Sequence, residues 1–289
     1  MNAKSKNVLG VHGPGSTHWV GDGFPVRNLF PSNGVAIDPF LMLDYAGPER
    51  FAPSERRRGV GEHPHRGFET VTIAYQGSVE HRDSGGHAGV IHPGDVQWMT
   101  AAAGVVHEEM HEREFARRGG VFEMVQLWVN LPAAQKMSAP GYQGIRGEEI
   151  PPVSFPGGGS ARVIAGELGG VKGPARTFTP VNVWDLRLVR GNRVEFALPE
   201  GHNAALALLR GAATVNSSTS LEGEARIAVL GCEGDAVQLE AARDSVALVL
   251  SGQPIGEPVA SYGPFVMNTE AELRQAMEDY RAGRMGRLS

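Results

Sequence analysis

The chain has 289 residues, which is longer than one typical domain, and its apolar fraction of 41% is large enough for real hydrophobic cores. Its formal net charge of -5 argues against a general nucleic-acid binder, because such proteins usually carry a basic surface. The single cysteine, Cys232, excludes an internal disulfide and is typical of a reducing compartment.

The amino-terminal segment, residues 1–10, contains no apolar stretch of the kind found in signal peptides. The longest apolar runs, such as AALALL before Arg210, are far too short to span a bilayer. Taken with the cysteine usage, these features predict a cytoplasmic protein that has no membrane segment and binds no nucleic acid directly.

The first chemically distinctive segment is GEHPHRGFET, residues 61–70, which places His63 and His65 two positions apart. In a strand, side chains at positions i and i+2 point to the same face. Two imidazoles on one inward face are either paired core histidines or half of a metal site. Because Pro64 lies between them, a surface loop is the alternative interpretation.

Residues 69–130 contain short apolar or β-branched runs separated by turn residues. The runs are ETVTIAY, SVEHR, AGVIH, VQWMT, VVHEEM and, after a charged loop, VFEMVQLWVNL. A Pro-Gly-Asp turn at residues 93–95 separates two of them. Short strands at this spacing predict a barrel or a sandwich.

The second half of the chain follows a glycine- and proline-rich segment, residues 144–170, that we interpret as a linker. Beyond it, VNVWDLRLV, RVEFALP, ALALLRG, RIAVLG and DSVALVLSG again indicate strands. The tail differs, because residues 269–284 carry apolar residues at helical spacing, and Thr269 is a suitable N-cap with acidic residues in the first turn.

One internal similarity links the two halves. PGDVQWMTAAAGVVHEEM and EGDAVQLEAARDSVALVL share a Gly-Asp turn, a strand and a second strand. Alignment of the turns places Ala247 opposite His107 and Val249 opposite Glu109, and a shift of one residue places other apolar residues there. The similarity predicts two related barrels, of which only the first contains polar groups inside.

His107 and Glu109 repeat the two-residue spacing of His63 and His65 in another strand-like context. Together the two pairs offer three imidazoles and one carboxylate, a ligand set that suits Fe, Mn, Co, Ni, Cu or Zn. Buried histidine and glutamate are otherwise costly unless they are paired. Glu109 could instead be solvated beside its charged neighbours, but two matching pairs favour a metal site.

Longer segments around these residues resemble one family. GEHPHRGFET followed by HPGDVQWMTAAAGVVH resembles the two cupin motifs, and HPHRGFETVT, GDVQWMTAAAGVVHEEM, LWVNLP and YGPFVMNT resemble signatures of the pirin family. The resemblance covers nearly the whole chain. It implies a mainly β fold of two tandem cupin (jelly-roll) β-barrels with a C-terminal helix at about residues 269–284. Residues 1–143 would form the barrel with the metal site, and residues 144–289 a cupin-like barrel without metal ligands.

The resemblance also implies one divalent metal ion per chain, usually iron, with Mn, Co, Ni, Cu or Zn as alternatives. Matching the pirin motif gives His63, His65 and His107 as imidazole ligands and Glu109 as the carboxylate ligand. Many other cupins use the glutamate after the H-x-H pair, here Glu69, which shares sequence parity with the first two histidines. The pirin pattern favours Glu109.

The activity that the resemblance implies is that of a quercetin 2,3-dioxygenase, which opens the ring of a flavonol with O2 and releases carbon monoxide. The partners would be a flavonol-like aromatic molecule and O2. Glu109 could act as the catalytic base, and Trp98, Met99, Met110 and Trp128 could form an apolar pocket wall. The alternative is a non-enzymatic, iron-binding regulatory protein that binds a transcription factor or a metabolic enzyme. A monomer is expected.

Overall fold

A computed structural model describes residues 4–31 and 37–288. These residues form 23 strands and two α-helices, so the prediction of a mainly β protein is confirmed. The helices are α1, Arg113–Arg118, and α2, Glu270–Arg281. The strands are β1 Val8–His12, β2 His18–Val20, β3 Phe24–Phe30, β4 Phe40–Phe51, β5 Gly59–His65, β6 Phe68–Gln76, β7 Val79–Asp83, β8 Ala88–Ile91, β9 Val96–Thr100, β10 Val105–His111, β11 Gly120–Asn130, β12 Gly141–Ile145, β13 Pro152–Ser154, β14 Ser160–Ala165, β15 Glu167–Leu168, β16 Val171–Lys172, β17 Val181–Leu188, β18 Arg193–Ala197, β19 Asn203–Val215, β20 Thr219–Leu230, β21 Ala236–Gly252, β22 Ala260–Tyr262 and β23 Phe265–Met267.

The described chain divides into two compact units. The histidine unit contains residues 17–27, 40–147 and 255–288, and the companion unit contains residues 4–16, 28–31, 37–39 and 148–254. The division expected between residues 143 and 144 stays a prediction for the two sequence halves, and each compact unit combines separate stretches of chain. The reason lies in strand pairing: β1 pairs with β20 in the companion unit, and the segment after residue 255 packs on β10 of the histidine unit.

The histidine unit contains a seven-stranded antiparallel sheet, in the order β12-β9-β6-β11-β4-β3-β2, and a four-stranded sheet, in the order β5-β10-β7-β8. Its core includes buried aromatic side chains of Phe24, Phe51, Phe115 and Phe122. The histidine-bearing strands β5 and β10 are neighbours in the smaller sheet. The companion unit is built on an eight-stranded sheet whose core, around Trp184, is apolar.

The C-terminal helix is confirmed, and it begins at the cap that the sequence indicated. The Thr269 side chain accepts the Glu272 amide, and the Glu272 side chain accepts the Thr269 amide, which together form a capping box. Leu273 and Ala276 are buried against Phe265 and other residues of the preceding strand segment. Neither α-helix of the described residues is long and apolar enough to cross a membrane.

Two segments differ from their sequence interpretation. The charged loop expected after β10 contains α1, because the Glu112 carboxylate accepts the amides of Glu114 and Phe115, and Phe115 is buried. The expected linker contains paired strands, since β13 and β14 form a hairpin across a glycine turn at residues 157–159. A six-residue helix and a three-residue strand are too short to give a periodic sequence pattern.

Candidate metal centre

The candidate metal centre is built on the antiparallel pair β5 and β10. His107 lies directly opposite His63, and Val105 lies opposite His65. The register shifts between His107 and Glu109, which is the signature of a β-bulge. On the other side of β10 the pairing with β7 is regular, so His107 and Glu109 keep to one face of the sheet.

The three histidine rings meet at this face. Their centroids are 4.2 Å apart for His63 and His107, 4.8 Å for His65 and His107, and 4.9 Å for His63 and His65. One nitrogen from each ring lies within 4.8 Å of the others, a grouping that could hold a metal ion. His65 and His107 are buried, and His63 is partly exposed.

In all three rings the Nδ1 atom has a hydrogen-bond partner. His63 Nδ1 lies 2.8 Å from the Gly61 carbonyl oxygen, and His65 Nδ1 lies 3.4 Å from that of Pro264. A carbonyl oxygen can only accept, so Nδ1 carries the proton in both rings. In a neutral ring Nε2 then holds a free lone pair, which is the atom that metals bind.

The third ring, that of His107, has a buried nitrogen atom without a partner in the described part of the chain. His107 is 0% exposed, and its Nε2 atom has no hydrogen-bond partner among the described residues. A buried polar atom without a partner costs about 1–3 kcal/mol. A metal ion bound at Nε2 would remove this cost, so the three histidines fit such an ion.

The surroundings of His65 and His107 favour the neutral form of these two rings. Burial and the neighbouring His63 lower the pKa of His65 to about 3. Burial, followed by the proximity of the other histidines, lowers the pKa of His107 well below its ordinary value. Metal binding at neutral pH therefore does not have to displace a proton from these two rings.

Glu109 lies on the same face but outside the three-histidine group. Its side chain is buried at 3% exposure. Gln126 Nε2 donates to both carboxylate oxygens, at 3.3 and 3.1 Å, and Thr72 Oγ1 donates to one of them at 3.3 Å. These contacts fix the carboxylate on the face of β10 that also carries His107.

Glu69 occupies a different environment. It lies on β6, where Thr72 contacts Glu109, and residues at odd and even positions of a strand face opposite sides. Glu69 therefore points away from that face, and its carboxylate accepts a hydrogen bond from Thr100 Oγ1 at 2.7 Å. The sequence parity that linked it to the histidine pair is broken at Gly67, which has a φ of 90° and separates β5 from β6.

The residues expected as a pocket wall are distributed over several faces. The Trp128 ring lies 5.3 Å from that of His65 and 4.2 Å from that of Phe68, so it borders the histidines. Trp98 pairs with Val71 on β6 and shares the face of Glu69, not that of Thr72. Met110 alternates with Glu109 and faces the other side of β10.

Met99 pairs with Thr70 and so shares the face of Thr72. It is 1% exposed and packs in a small apolar cluster with Ala101 and Val105.

Residue spacing along the sequence does not single out His81. The structure places it on β7 with 0% exposure, with its Nδ1 atom 3.4 Å from His107 Nδ1. Its Nε2 atom lies 3.4 Å from Asp83 Oδ2. The alternation of His81 and Asp83 along β7 shows only that these two side chains share a face, and the register of β7 against β10 then places that face with His107.

Comparison with known proteins gives a consistent result at the level of the family. Residues 23–129 match the family model Pirin, and residues 183–286 match the model of the pirin C-terminal cupin domain. A Pseudomonas aeruginosa protein, provisionally named quercetin 2,3-dioxygenase, is 53% identical over 282 residues, covering 96% of this chain and 98% of that protein. Pirin-like protein 2 of Arabidopsis thaliana is 41% identical over 274 residues, covering 92% of this chain and 81% of that protein.

Solved structures agree with these matches. A crystal structure of quercetin 2,3-dioxygenase from Acinetobacter baumannii superposes with a TM-score of 0.96 at 52% identity, covering 99% of this chain and 100% of that chain. The bacterial pirin YhhW of Escherichia coli, solved in complex with nickel(II), has a TM-score of 0.62 at 16% identity, covering 85% of this chain and 100% of that chain, which is a likeness of fold. The predicted architecture of two cupin domains followed by a C-terminal helix is thereby confirmed.

Proposed function

The chain belongs to the pirin family, and from that premise we propose that it is a metal-dependent dioxygenase acting on a flavonol such as quercetin. The reaction would open the flavonol ring with O2 and release carbon monoxide. The single observation that carries the proposal is the meeting of three imidazoles whose Nδ1 atoms are occupied and whose Nε2 atoms are left for an ion. The names of the Pseudomonas and Acinetobacter relatives support the choice of substrate class.

We assign His63, His65 and His107 as the imidazole ligands and Glu109, rather than Glu69, as the carboxylate ligand. The contact of Thr72 with Glu109 and the opposite orientation of Glu69 on β6 support this choice. With these four residues as ligands, a bound ion would remain open to substrate and O2. When bound, the ion supplies a Lewis acid and a template for the flavonolate and O2. We propose iron, with Mn, Co, Ni, Cu or Zn as alternatives.

Glu109 is the proposed catalytic base, which takes the proton of the flavonol 3-hydroxyl group. A carboxylate bound to a metal is a weak base, so the two proposed roles of Glu109, ligand and base, draw on the same oxygen lone pairs. The hydrogen bonds from Gln126 and Thr72 would hold the carboxylate in position for either role. Both atoms of O2 would enter the ring-opened product, and the carbon monoxide would come from the flavonol ring. No external reductant is therefore needed.

Trp128 is proposed to contact the flat aromatic substrate. Its ring borders His65 and packs on Phe68, and together these rings offer an apolar surface beside the proposed ligands. Apolar walls with a few placed polar groups are typical of small-molecule sites.

The remaining expectations stay proposals. We propose a cytoplasmic location, on the basis of the cysteine usage. We also propose a monomer with one metal ion per chain. We also keep residues 1–143 and 144–289 as the proposed limits of the two cupin domains along the sequence.

The test is oxygen uptake by the iron-loaded protein with quercetin, measured together with metal content and carbon monoxide release. The wild type should contain about one metal ion per chain and consume O2, whereas His107→Ala should lose both properties. A matched control is His18→Ala, since His18 is exposed and lies outside the cluster. If the wild type retains its metal but consumes O2 no faster than His107→Ala, the result would instead favour the alternative function, that of a regulatory iron-binding protein.

A further inference from the structure

We propose that His81 and Asp83 are positioning residues, which fix the ring of His107 for metal binding through a hydrogen-bonded chain from Asp83 to His81 to His107. The proposal rests on the metal site of the proposed function, but it does not depend on the flavonol or on O2. It concerns two buried polar residues to which the proposed reaction gives no role.

The strand register brings the three residues together. On the β7 and β10 pair, Asp83 lies opposite His107, and His81 lies opposite Glu109. Opposed residues of antiparallel strands share a face, so all four side chains point the same way. His81 and His107 are 0% exposed and Asp83 is 7% exposed, so water does not compete strongly for these contacts.

The hydrogen bonds of the chain have one consistent direction. Asp83 Oδ2, as a carboxylate oxygen, accepts from His81 Nε2 at 3.4 Å. In a neutral imidazole the other nitrogen is then an acceptor, so His81 Nδ1 accepts from His107 Nδ1 at 3.4 Å. Gln97 Nε2 lies 3.1 Å from the same nitrogen, so the two donors share its single lone pair. His107 therefore carries its proton on Nδ1, and its partnerless Nε2 is the atom presented to the ion.

The reverse hydrogen bond, from His81 Nδ1 to His107 Nδ1, is unfavourable. If His107 Nδ1 accepted from His81, the proton of His107 would lie on Nε2. That proton would be a buried donor with no partner among the described residues, and the ring could not bind a metal through that atom. The partnerless atom thus fits a lone pair awaiting an ion.

Asp83 is anchored independently of His81. Its Oδ1 atom accepts the backbone amides of Gly85 at 2.8 Å and His87 at 3.1 Å, in the turn between β7 and β8. The Tyr142 ring stacks on that of His81, with centroids 5.3 Å apart and an angle of 23° between planes. The carboxylate is fixed by backbone and the imidazole is confined by an aromatic face, so the chain can set the orientation of His107.

The three proposed ligands differ in this respect. His63 and His65 donate Nδ1 to the backbone carbonyls of Gly61 and Pro264, which no side-chain substitution removes. His107 alone relies on side chains for its Nδ1 partner. Hydrogen-bond partners of a metal-bound histidine fix its tautomer and ring orientation, and their loss typically costs 10–100-fold in metal affinity.

The experiment measures the affinity of the purified protein for Co(II) by competition with a chromophoric chelator, together with the absorption spectrum of the bound Co(II). His81→Leu removes the acceptor and should weaken binding about 10–100-fold and change the spectrum. His81→Asn places an amide oxygen near the Nδ1 position and should restore most of the affinity. His92→Leu is the matched control, because His92 is exposed and bonds to Ser78 instead.

Thermal unfolding of the metal-free proteins shows which variants fold. If His81→Leu does not fold, the same measurements are made on Asp83→Asn. This variant should bind Co(II) several-fold more weakly than the wild type and show an altered spectrum. A folded His81→Leu or Asp83→Asn protein with wild-type affinity and spectrum would overturn the proposal. This result is distinct from failure of the proposed function, in which the wild type binds metal tightly and still does not oxidise quercetin.

Discussion

Each of the three clustered histidines holds its Nδ1 proton with a different partner. Two partners are backbone carbonyls and the third is the buried imidazole of His81. Residue spacing predicted that His63 and His65 share a face, because alternation in a strand is a local rule. It could not predict His81, since that contact depends on the register of β7 against β10. Residues that act from neighbouring strands are visible only once the sheet is formed.

The two candidate glutamates show the same limit. Parity along the sequence left Glu69 and Glu109 as alternatives. The structure separates them because Gly67 interrupts the alternation, with a φ of 90° and the Val266 carbonyl oxygen where a side chain would begin. The sequence alone does not show that a glycine between two strands changes which side of the sheet the following residues face.

Glu69 gives a prediction for the dependence of stability on pH. Its side chain is 1% exposed, and burial raises its pKa from 4.5 to about 7. Because the pKa is raised in the folded state, the stabilising contribution is complete below pH 4.5 and is lost as the pH rises through about 7. When the pH of the metal-free protein is raised from 5 to 8, the unfolding free energy of the wild type should fall by about 2 kcal/mol more than that of Glu69→Gln.

Urea titrations at the two pH values measure this difference. Glu55→Gln is the control, since the Glu55 side chain is 92% exposed and its substitution should leave the dependence on pH unchanged. Parallel losses of stability in the wild type and in Glu69→Gln would contradict the prediction.

At the level of elements, helix α2 is tied to the strand that carries the histidine pair. Arg66 follows His65 directly, is 3% exposed, and donates Nη1 to Asp279 Oδ2 at 2.7 Å. Asp279 also accepts from Gln275 and Arg284. These hydrogen bonds, the largest from Arg66, lower the pKa of Asp279 to about 2 despite the opposing effect of burial. The helix is therefore held by a polar contact as well as by its apolar face.

Loss of this contact should be costly. Asp279→Ala leaves the Arg66 guanidinium buried without its carboxylate and should lower the unfolding free energy at pH 7 by about 3–5 kcal/mol. Since the pKa of Asp279 is depressed, its contribution is complete above pH 3.8 and is lost as the pH falls through about 2. The difference between the two proteins should therefore be full at neutral pH.

Chemical denaturation of the wild type and the variant provides the measurement. Glu278→Ala, an exposed neighbour on the same helix, should change the unfolding free energy by no more than about 0.5 kcal/mol. A loss for Asp279→Ala that does not exceed this control value would show that the ion pair does not secure the helix.

The two helices also differ in how far they could be predicted. Helix α2 has 12 residues, an apolar face and a capping box, so both its type and its start follow from local sequence. Helix α1 has six residues, and only its Glu112 cap and buried Phe115 mark it. Charged residues dominate that segment, and composition alone indicates a loop.

At the scale of the whole molecule, the histidine unit is assembled from stretches that are far apart in sequence. Residues 255–288 supply the Pro264 carbonyl to His65, the Asp279 carboxylate to Arg66 and the Val266 carbonyl to the buried Lys136. The resemblance to the pirin family predicted two cupin domains, and that is confirmed. The internal similarity between the two halves carried no information on the return of the chain, because the returning segment lies outside the repeat.

This arrangement predicts the behaviour of a fragment. Residues 1–143 expressed alone should fail to unfold cooperatively and should bind metal at least 10-fold more weakly than the full chain, because the Nδ1 partner of His65 and the partner of Arg66 are missing. Co-expression with residues 255–289 should recover part of both properties. Circular dichroism melts and chelator competition provide the measurements. A fragment that melts cooperatively and retains full affinity would contradict the prediction.

The path of the chain also has a consequence for the order of events in synthesis. A ribosome that has translated all three clustered histidines must still translate the whole of residues 148–254 before the Pro264 carbonyl exists. The hydrogen bond that orients the His65 ring therefore becomes available only late in synthesis, long after the three histidines themselves.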